Sequence, residues 1–446
     1  MKQADLIIVG AGPGGYEVAA EQAARGLKVV LIERDQPGGT CLNRGCIPTK
    51  CLCASAEAVR AVANAADFGV NVTGYTPDYA AAHQRMTDIV DQLREGVAQS
   101  LSRCELVKGE ASVTPDGHIA VGDEVYSAPK ILIATGSKPA RMAFDPEGLC
   151  LTSDEFLQLP TLPESMVIIG GGVIGIEFAD ILNAFGVQVT VVEYCKEILP
   201  PFDPEIAKRL RTTLSRRGVE FVLGASVTSV GKAEGEPGAD SAKLTVSYEG
   251  KRGSAQAVAD CVLCAVGRRP VLPDGLADAG IEVNGRGFIV TDATMQTTRP
   301  GVYAVGDCNG RCMLAHAATA QARVALGEDV DLSVIPSAVY TEPPVAMCGM
   351  TPQAAADAGI EVRAVKSLFG ANGRAQTMGQ ASGLVKTLYN AGTGAVIGCH
   401  IMGPHADDLV QQMVPAIAQG MTAAQLRRFV VGHPTLSEVL SATFAD

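Results

Sequence analysis

A chain of 446 residues with 47% hydrophobic and 19% charged side chains can bury several cores and is expected to divide into two to four domains. A net charge of −12 removes the electrostatic basis for binding nucleic acid, and no Lys/Arg-rich block restores it. No apolar run approaches a membrane span, and Met1-Lys2-Gln3-Ala4-Asp5 passes straight into a strand pattern without a signal-peptide core, so a cytoplasmic protein is expected.

Leu6-Ile7-Ile8-Val9 reads as a short apolar strand running into Gly10-Ala11-Gly12-Pro13-Gly14-Gly15 and then a helix over 16–25. In that setting Gly10 makes the turn, Gly12 lets backbone approach a pyrophosphate, and Gly15 lets helix and strand pack closely, with the helix N-terminus facing the phosphates. A second strand over 27–32 ends in Glu33, where a carboxylate takes the ribose hydroxyls of a dinucleotide.

The next segment is Gly38-Gly39-Thr40-Cys41-Leu42-Asn43-Arg44-Gly45-Cys46-Ile47-Pro48-Thr49-Lys50. Its cysteine spacing suits neither a zinc knuckle nor a thioredoxin motif and points to a redox disulfide. Five residues of ideal helix would separate the pair by roughly 7.5 Å along the axis, beyond the ~4.4–6.8 Å Cα range of a disulfide, so no continuous helix is expected between them. Gly39 and Gly45 supply the freedom to tighten the loop, and Pro48 suits a helix's first turn. Cys46 is therefore expected near a helix N-terminus, where the dipole favours a thiolate. On this segment alone, a zinc site recruiting Cys51 and Cys53, or a pair of unreactive buried thiols, stays open. Helices are predicted over 54–66 and 79–102.

The strand, glycine loop, helix, strand and acid recur over 165–193, with Gly170-Gly171-Gly172-Val173-Ile174-Gly175, a helix through 185, and a strand over 187–192 ending in Glu193. Gly170, Gly172, Gly175 and Glu193 thus form a second dinucleotide site. Glu193 would repel a 2′-phosphate and no arginine pair follows it, so NAD is favoured over NADP, with Lys196 alone as counterweight. Two nucleotide folds and a thiol pair require electrons to pass between sulfur and a nicotinamide. A flavin is the usual mediator, so the first loop is expected to hold FAD and the second NAD. Further on, 231–241 reads as a hairpin loop in a strand meander.

Thirteen cysteines in a chain this long are not a disulfide scaffold. Cys261 and Cys264 form a CxxC inside an apolar strand over 259–266, where positions three apart face opposite sides, and read as structural. Cys308 and Cys312 flank a turn. His400 and His405, near Asp407 and Asp408, cross from strand to loop without helical ligand spacing, so no metal site is expected. Read locally, His433 is either a turn histidine or a candidate base for a thiol, with Glu438 placed to hold its other ring nitrogen and set the tautomer.

With these motifs in place, the chain resembles the pyridine nucleotide–disulfide oxidoreductase family, and within it the dihydrolipoyl dehydrogenases, over essentially its whole length. The further matching segments are Ile133-Ala134-Thr135-Gly136-Ser137, Ala265-Val266-Gly267-Arg268-Arg269-Pro270, Val302-Tyr303-Ala304-Val305-Gly306-Asp307 and His433-Pro434-Thr435-Leu436-Ser437-Glu438. The resemblance implies an α/β fold with two Rossmann-like dinucleotide-binding domains plus a C-terminal α+β dimerisation domain. Its boundaries would be an FAD domain over 1–144, an NAD domain over 145–266, a returning FAD or central segment over 267–334, and an interface domain over 335–446. It implies FAD contacts from Gly39, Thr40, Lys50, Ala111, Thr135, Gly136 and Asp307, and from Met313, Leu314, Ala315 and His316, with Gly267 beside the NAD loop.

By the same resemblance, Cys41 is the thiol that exchanges with dihydrolipoamide after His433 takes a proton, and Cys46 lies against the flavin and passes electrons to it. Lys50 and Glu177 match an ion pair beside the flavin ring, and a homodimer delivers the His433–Glu438 pair to the partner's disulfide. The natural partner is a lipoyl-bearing acyltransferase or glycine-cleavage carrier, with no nucleic acid and no membrane. Two departures bear on substrate choice: Glu342 and Val431 each stand where a histidine is common. A mercuric reductase would bring a C-terminal cysteine pair, which Thr443-Phe444-Ala445-Asp446 lacks, and a glutathione-type reductase would prefer NADPH, which Glu193 opposes. A nucleotide-sensing scaffold would leave the disulfide and the base without a purpose.

Overall fold

The computed structural model describes residues 1–233 and 243–445. The chain separates into two compact units, one comprising 1–51, 83–140 and 267–332, the other 52–82, 141–266 and 333–446.

The first unit is built on a parallel sheet in the order Val302–Ala304, Lys130–Ile133, Leu6–Val9, Val29–Glu33, Glu105–Lys108. Its central strand is apolar at every position because both faces are covered. Ile7 and Val9 pack with Ile131, Ile133 and Tyr126, whereas Leu6 and Ile8 pack with Val18 and Ala19 of the helix Pro13–Ala24. Burying each of these Leu, Ile and Val side chains contributes about 1.5–3 kcal/mol. The first helix starts at Pro13 rather than at 16, because proline fits the opening turn after Gly12. Gly26 at φ +92° and Leu27 then make the turn, so the next strand begins at Val29 and runs through Glu33.

The helix expected over 54–66 begins eight residues earlier, at Cys46, and ends at Ala63. Gly45 sets its start: at φ −148°, ψ −110° it breaks away from the short helix Gly39–Arg44, and Pro48 needs no N–H in a first turn. The second long helix, Tyr79–Ser100, stops two residues short of the expected end.

The second unit repeats the plan. Glu220–Leu223, Gln188–Glu193, Ser165–Ile169 and Cys261–Cys264 form a parallel sheet, with the helix Val173–Ala184 following the glycine loop. The strand expected over 259–266 is thus only four residues long, which leaves Val266 and Gly267 to turn the chain. An antiparallel meander of Ser226–Lys232, Leu244–Gly250 and Gly253–Ala259 is attached. Of the loop expected over 231–241, Gly231 and Lys232 instead continue a strand, paired with Thr245 and Leu244, and 234–241 lie outside the described residues. The same unit carries a five-stranded antiparallel sheet in the order Ser337–Val339, Val345–Gly349, Val396–Met402, Leu384–Asn390, Val362–Leu368. One face of it is covered by short helices that include Met413–Ala418 and Ser437–Ser441. Among the described residues no helix is long and apolar enough to cross a membrane.

Candidate active site

In the first unit the glycine loop is shaped by close approach. A Cβ on Gly10, at φ +104°, would lie 2.4 Å from the Ala134 carbonyl oxygen, and one on Gly15 would lie 1.9 Å from that of Gly10. Only glycine fits either position. Glu33 accepts the Ala11 N–H at 2.7 Å through Oε2 and the Asp35 N–H at 2.8 Å through Oε1, so its carboxylate stands at the mouth of the loop. A cavity of about 60 Å³ opens there, lined by Gly10, Glu33, Ala111 and Thr135 among others. Narrow glycine backbone for phosphates, a carboxylate for ribose and a cavity beside it fit the adenosine diphosphate half of FAD.

Gly136, at φ +68°, turns the chain after Thr135, whose Oγ1 donates to the Val271 carbonyl at 2.6 Å. Ser137 then donates to Asp307 Oδ2 at 2.5 Å and itself accepts from Arg268 Nε at 2.7 Å. Asp307 therefore has a fixed orientation, held by two residues that local sequence did not single out. Met313 and Leu314 lead into the helix Ala315–Ala325, with Leu314 as its N-cap and His316 exposed in its first turn.

The thiol pair lies over this loop. Cys41 sits in the helix Gly39–Arg44 and Cys46 opens the helix Cys46–Ala63. Gly45 between them would place a Cβ 2.9 Å from the Thr40 carbonyl oxygen, and Gly39, at φ +58°, would place one 2.5 Å from the Gly12 Cα. Both glycines are thus required by proximity. Cys41 and Cys46 are thiols in this structure, and their side chains hydrogen-bond each other. That bond and burial push the Cys41 thiol up, while the charge of Lys50 and the Cys46 N–H pull it down. Cys51 is buried, which raises its thiol pKa, and Cys53 donates to the Tyr340 carbonyl at 3.2 Å.

The second unit repeats the nucleotide geometry. Gly170, at φ +108°, would place a Cβ 2.5 Å from the Ala265 carbonyl oxygen, and Gly175 one 2.0 Å from that of Gly170. Gly172 is the N-cap of the helix that follows. Glu193 accepts the Gly171 N–H at 2.5 Å and the Cys195 N–H at 2.6 Å, the counterpart of Glu33. Glu177 is buried, and its Oε1 accepts the Tyr340 N–H at 2.9 Å. Lys50 lies in the first unit and Glu177 in the second. Glu342 has a local role in ion pairing: its carboxylate is 3.3 Å from Arg60, and Arg60 also binds Asp180 at 2.6 Å.

Near the C-terminal end, His433 Nδ1 is 2.8 Å from Glu438 Oε1, and Glu438 Oε2 accepts the Thr435 N–H at 2.9 Å. The Thr435 carbonyl accepts from Asn372, which caps the helix Gly373–Thr377. The His433 side chain is 80% exposed, so the pinned imidazole presents its Nε2 outward. The hydrogen bond from His433 and then that from Thr435 hold the Glu438 carboxyl below the ordinary range.

His400 and His405 do not meet: His400 is buried with Nε2 3.0 Å from the Met350 carbonyl, and His405 is exposed near Asp408. Among the described residues no group of three or more His, Cys, Asp or Glu side chains is arranged to hold a metal ion.

Residues 4–322 match the family model described as pyridine nucleotide-disulphide oxidoreductase, and residues 335–443 match that family's dimerisation domain. The dihydrolipoyl dehydrogenase of Chlamydia muridarum is 37% identical over 453 residues, spanning 98% of this chain and 95% of that protein. That of Chlorobaculum tepidum is 38% identical over 467 residues, spanning 100% and 97%. Among solved structures, the HOCl-induced flavoprotein disulfide reductase RclA from Escherichia coli aligns with a TM-score of 0.86 at 28% identity, over 99% of each chain. The family works with FAD and NAD(H), and the backbone geometry of both glycine loops is compatible with a dinucleotide. A doubled nucleotide fold, a thiol pair seated on the first loop and matches along nearly the full length lead to one assignment: the chain belongs to the pyridine nucleotide–disulphide oxidoreductases, flavoproteins that exchange electrons with disulfides.

Proposed function

We propose that the protein oxidises protein-bound dihydrolipoamide and reduces NAD, as a dihydrolipoyl dehydrogenase. The observation that carries this reading is the exposed His433 ring held at Nδ1 by Glu438, because a dithiol substrate needs a base before it needs an electron acceptor. The 37–38% identity to proteins of that name over nearly their full lengths supports it.

In this reading His433 Nε2 takes the proton from one substrate thiol, and Glu438 stabilises the imidazolium that results. The thiolate attacks Cys41 of the oxidised pair, which breaks the Cys41–Cys46 bond and leaves Cys46 as a thiolate at its helix N-terminus. The second substrate thiol then attacks the mixed disulfide, closing the lipoyl ring and releasing Cys41. The positive charge of Lys50 favours thiolate at the pair. Gly10, Gly12, Gly15, Glu33, Gly39, Thr40, Ala111, Thr135, Gly136, Asp307 and 313–316 would hold FAD, whose two-electron chemistry would link the thiol pair to NAD. Gly170, Gly172, Gly175, Glu193 and Gly267 hold the nicotinamide dinucleotide, and the carboxylate of Glu193 selects against a 2′-phosphate.

The domain boundaries follow the order FAD, NAD, returning central segment and interface domain. The protein works as a cytoplasmic homodimer in which His433 and Glu438 serve the partner's thiol pair, and it takes electrons from a lipoyl-bearing carrier of a multienzyme complex. The test is a comparative assay of the purified flavoprotein with NADH or NADPH against lipoamide, oxidised glutathione and mercuric ion. Lipoamide with NADH is expected to give the highest turnover. Faster turnover of glutathione disulfide or mercuric ion, or preference for NADPH, overturns the assignment.

A further inference from the structure

The loop between the two cysteines is tied at its centre by a contact reaching across 51 residues of sequence. Asn43 Nδ2 donates to the carbonyls of Gly39 at 2.9 Å and Pro37 at 3.1 Å, with Gln36 at 3.4 Å. Its Oδ1 accepts from Arg94 Nε at 2.9 Å, on the helix Tyr79–Ser100, and Arg94 is itself braced by Asp91 at 2.7 Å. Beside it Arg44 pairs with Asp35. One amide thus links the chain entering the loop, the turn that carries Cys41 and a separate helix.

We propose that Asn43 and Arg94 act together as positioning residues that set the dithiol–disulfide equilibrium of Cys41 and Cys46. The physical reason is effective concentration. Gly45, at φ −148° and ψ −110°, breaks the helix between the two cysteines, and a segment left free to move there would spend less time with its sulfurs in bonding range. The clasp removes that freedom before the bond forms, so it favours the disulfide over the dithiol. Releasing one or two backbone residues is expected to shift the equilibrium toward dithiol by about tenfold, or ~30 mV for the two-electron couple.

The inference rests on reading Cys41 and Cys46 as a redox pair, and one experiment separates the two claims. Purified holoprotein is equilibrated in a series of reduced and oxidised glutathione buffers. Two glutathione thiols give up two protons and an electron pair as the protein S–S bond breaks and the glutathione S–S bond forms. The mixture is then acid-quenched and alkylated. Trypsin cuts after Arg44 and Lys50, placing Cys41, Cys46 and the Cys51/Cys53 pair on separate peptides whose alkylation is read by mass spectrometry.

Arg94→Ala removes a half-exposed side chain on a surface helix, keeps the fold, and is expected to shift the midpoint about tenfold toward dithiol, with Arg94→Gln recovering most of it. Asn43→Ala is expected to shift it at least as far, and Asn43→Ala combined with Arg94→Ala no further than Asn43→Ala alone. If the parent pair titrates while Arg94→Ala follows it within about twofold, or the double variant adds the two shifts, the clasp is overturned and the redox reading stands. If the parent pair does not titrate at all, both are overturned.

Discussion

Gly39 rests directly on Gly12: a Cβ on Gly39 would come within 2.5 Å of the Gly12 Cα, so the loop that carries the redox cysteines and the loop that cradles phosphate are packed backbone to backbone. Cofactor and thiol chemistry are therefore coupled through a contact that tolerates no side chain. Gly39→Ala adds both the strain of φ +58° and a clash with unyielding backbone. The variant is expected to retain well under half the parent's flavin after purification, read from the protein and flavin absorbance bands. Full flavin content with unchanged melting temperature would show that the loops can separate freely.

His433→Gln removes the proposed base while leaving the glycine loops and the thiol pair in place. Lipoamide turnover is expected to fall by roughly 10²–10⁴-fold, with NADH oxidation by ferricyanide, which needs no substrate thiol, close to the parent. Equal losses in both assays would place His433 outside the thiol half-reaction. Glu438→Gln should give a smaller loss, because it removes the support of the ring and not the ring itself.

Buried His400 gives a pH signature. Burial lowers its pKa, with Asp203 and the Met350 carbonyl pulling upward and Lys386 adding to the depression, and its Nδ1 has no partner among the described residues. The folded chain therefore leaves this ring neutral while the unfolded chain takes up a proton below about pH 6.5. The linked stability is fully present above that pH and declines as pH falls through it, by at most about 1.4 kcal/mol per pH unit. Denaturant titrations from pH 8 to about pH 5 should show a shallower acid-side decline in His400→Gln than in the parent. Parallel curves would remove the ring from the acid response.

Asp180 anchors a charge cluster: Arg60 reaches it at 2.6 Å, Arg217 at 3.5 Å and the Glu342 N–H at 3.1 Å, with the Asp180 and Arg60 side chains 5% and 10% exposed. Burial raises the Asp180 pKa despite those cations. Asp180→Ala leaves a guanidinium enclosed without its counter-charge and is expected to cost about 3–5 kcal/mol by chemical denaturation. A loss under about 1 kcal/mol would mean that Arg60 finds water or Glu342 instead.

Much of the nucleotide architecture was legible because it is local. A strand, a glycine at positive φ, a helix and an acid occur within about 30 consecutive residues, and Gly10, Gly15, Gly170 and Gly175 each have a steric reason there. The duplicate at 165–193 was legible for the same reason, and Glu33 and Glu193 make matching backbone contacts. The start of the next helix was read two ways: Gly45 and Pro48 put Cys46 near a helix N-terminus, as found, whereas the helix placed over 54–66 began eight residues too late. Arg94 and Ser137 were missed as well. Their partners, Asn43 and Asp307, lie 51 and 170 positions away, and nothing in a surface arginine or a strand serine announces such a contact.

Residue order alone determined which chemistries the chain can host: two phosphate-binding turns, a pair of thiols spaced for exchange, and a histidine with a carboxylate five positions on. Each follows from short-range sterics and side-chain identity. Tertiary structure alone decided how those groups are held: Gly39 pressed on Gly12, Asp307 oriented through Ser137 and Arg268, Asn43 fastened to Arg94, and Glu342 drawn into the Arg60–Asp180 cluster. These depend on backbone paths that bring distant segments within a few ångströms, and hydrogen bonds and packing of that reach are fixed by the folded topology and not by neighbours along the chain.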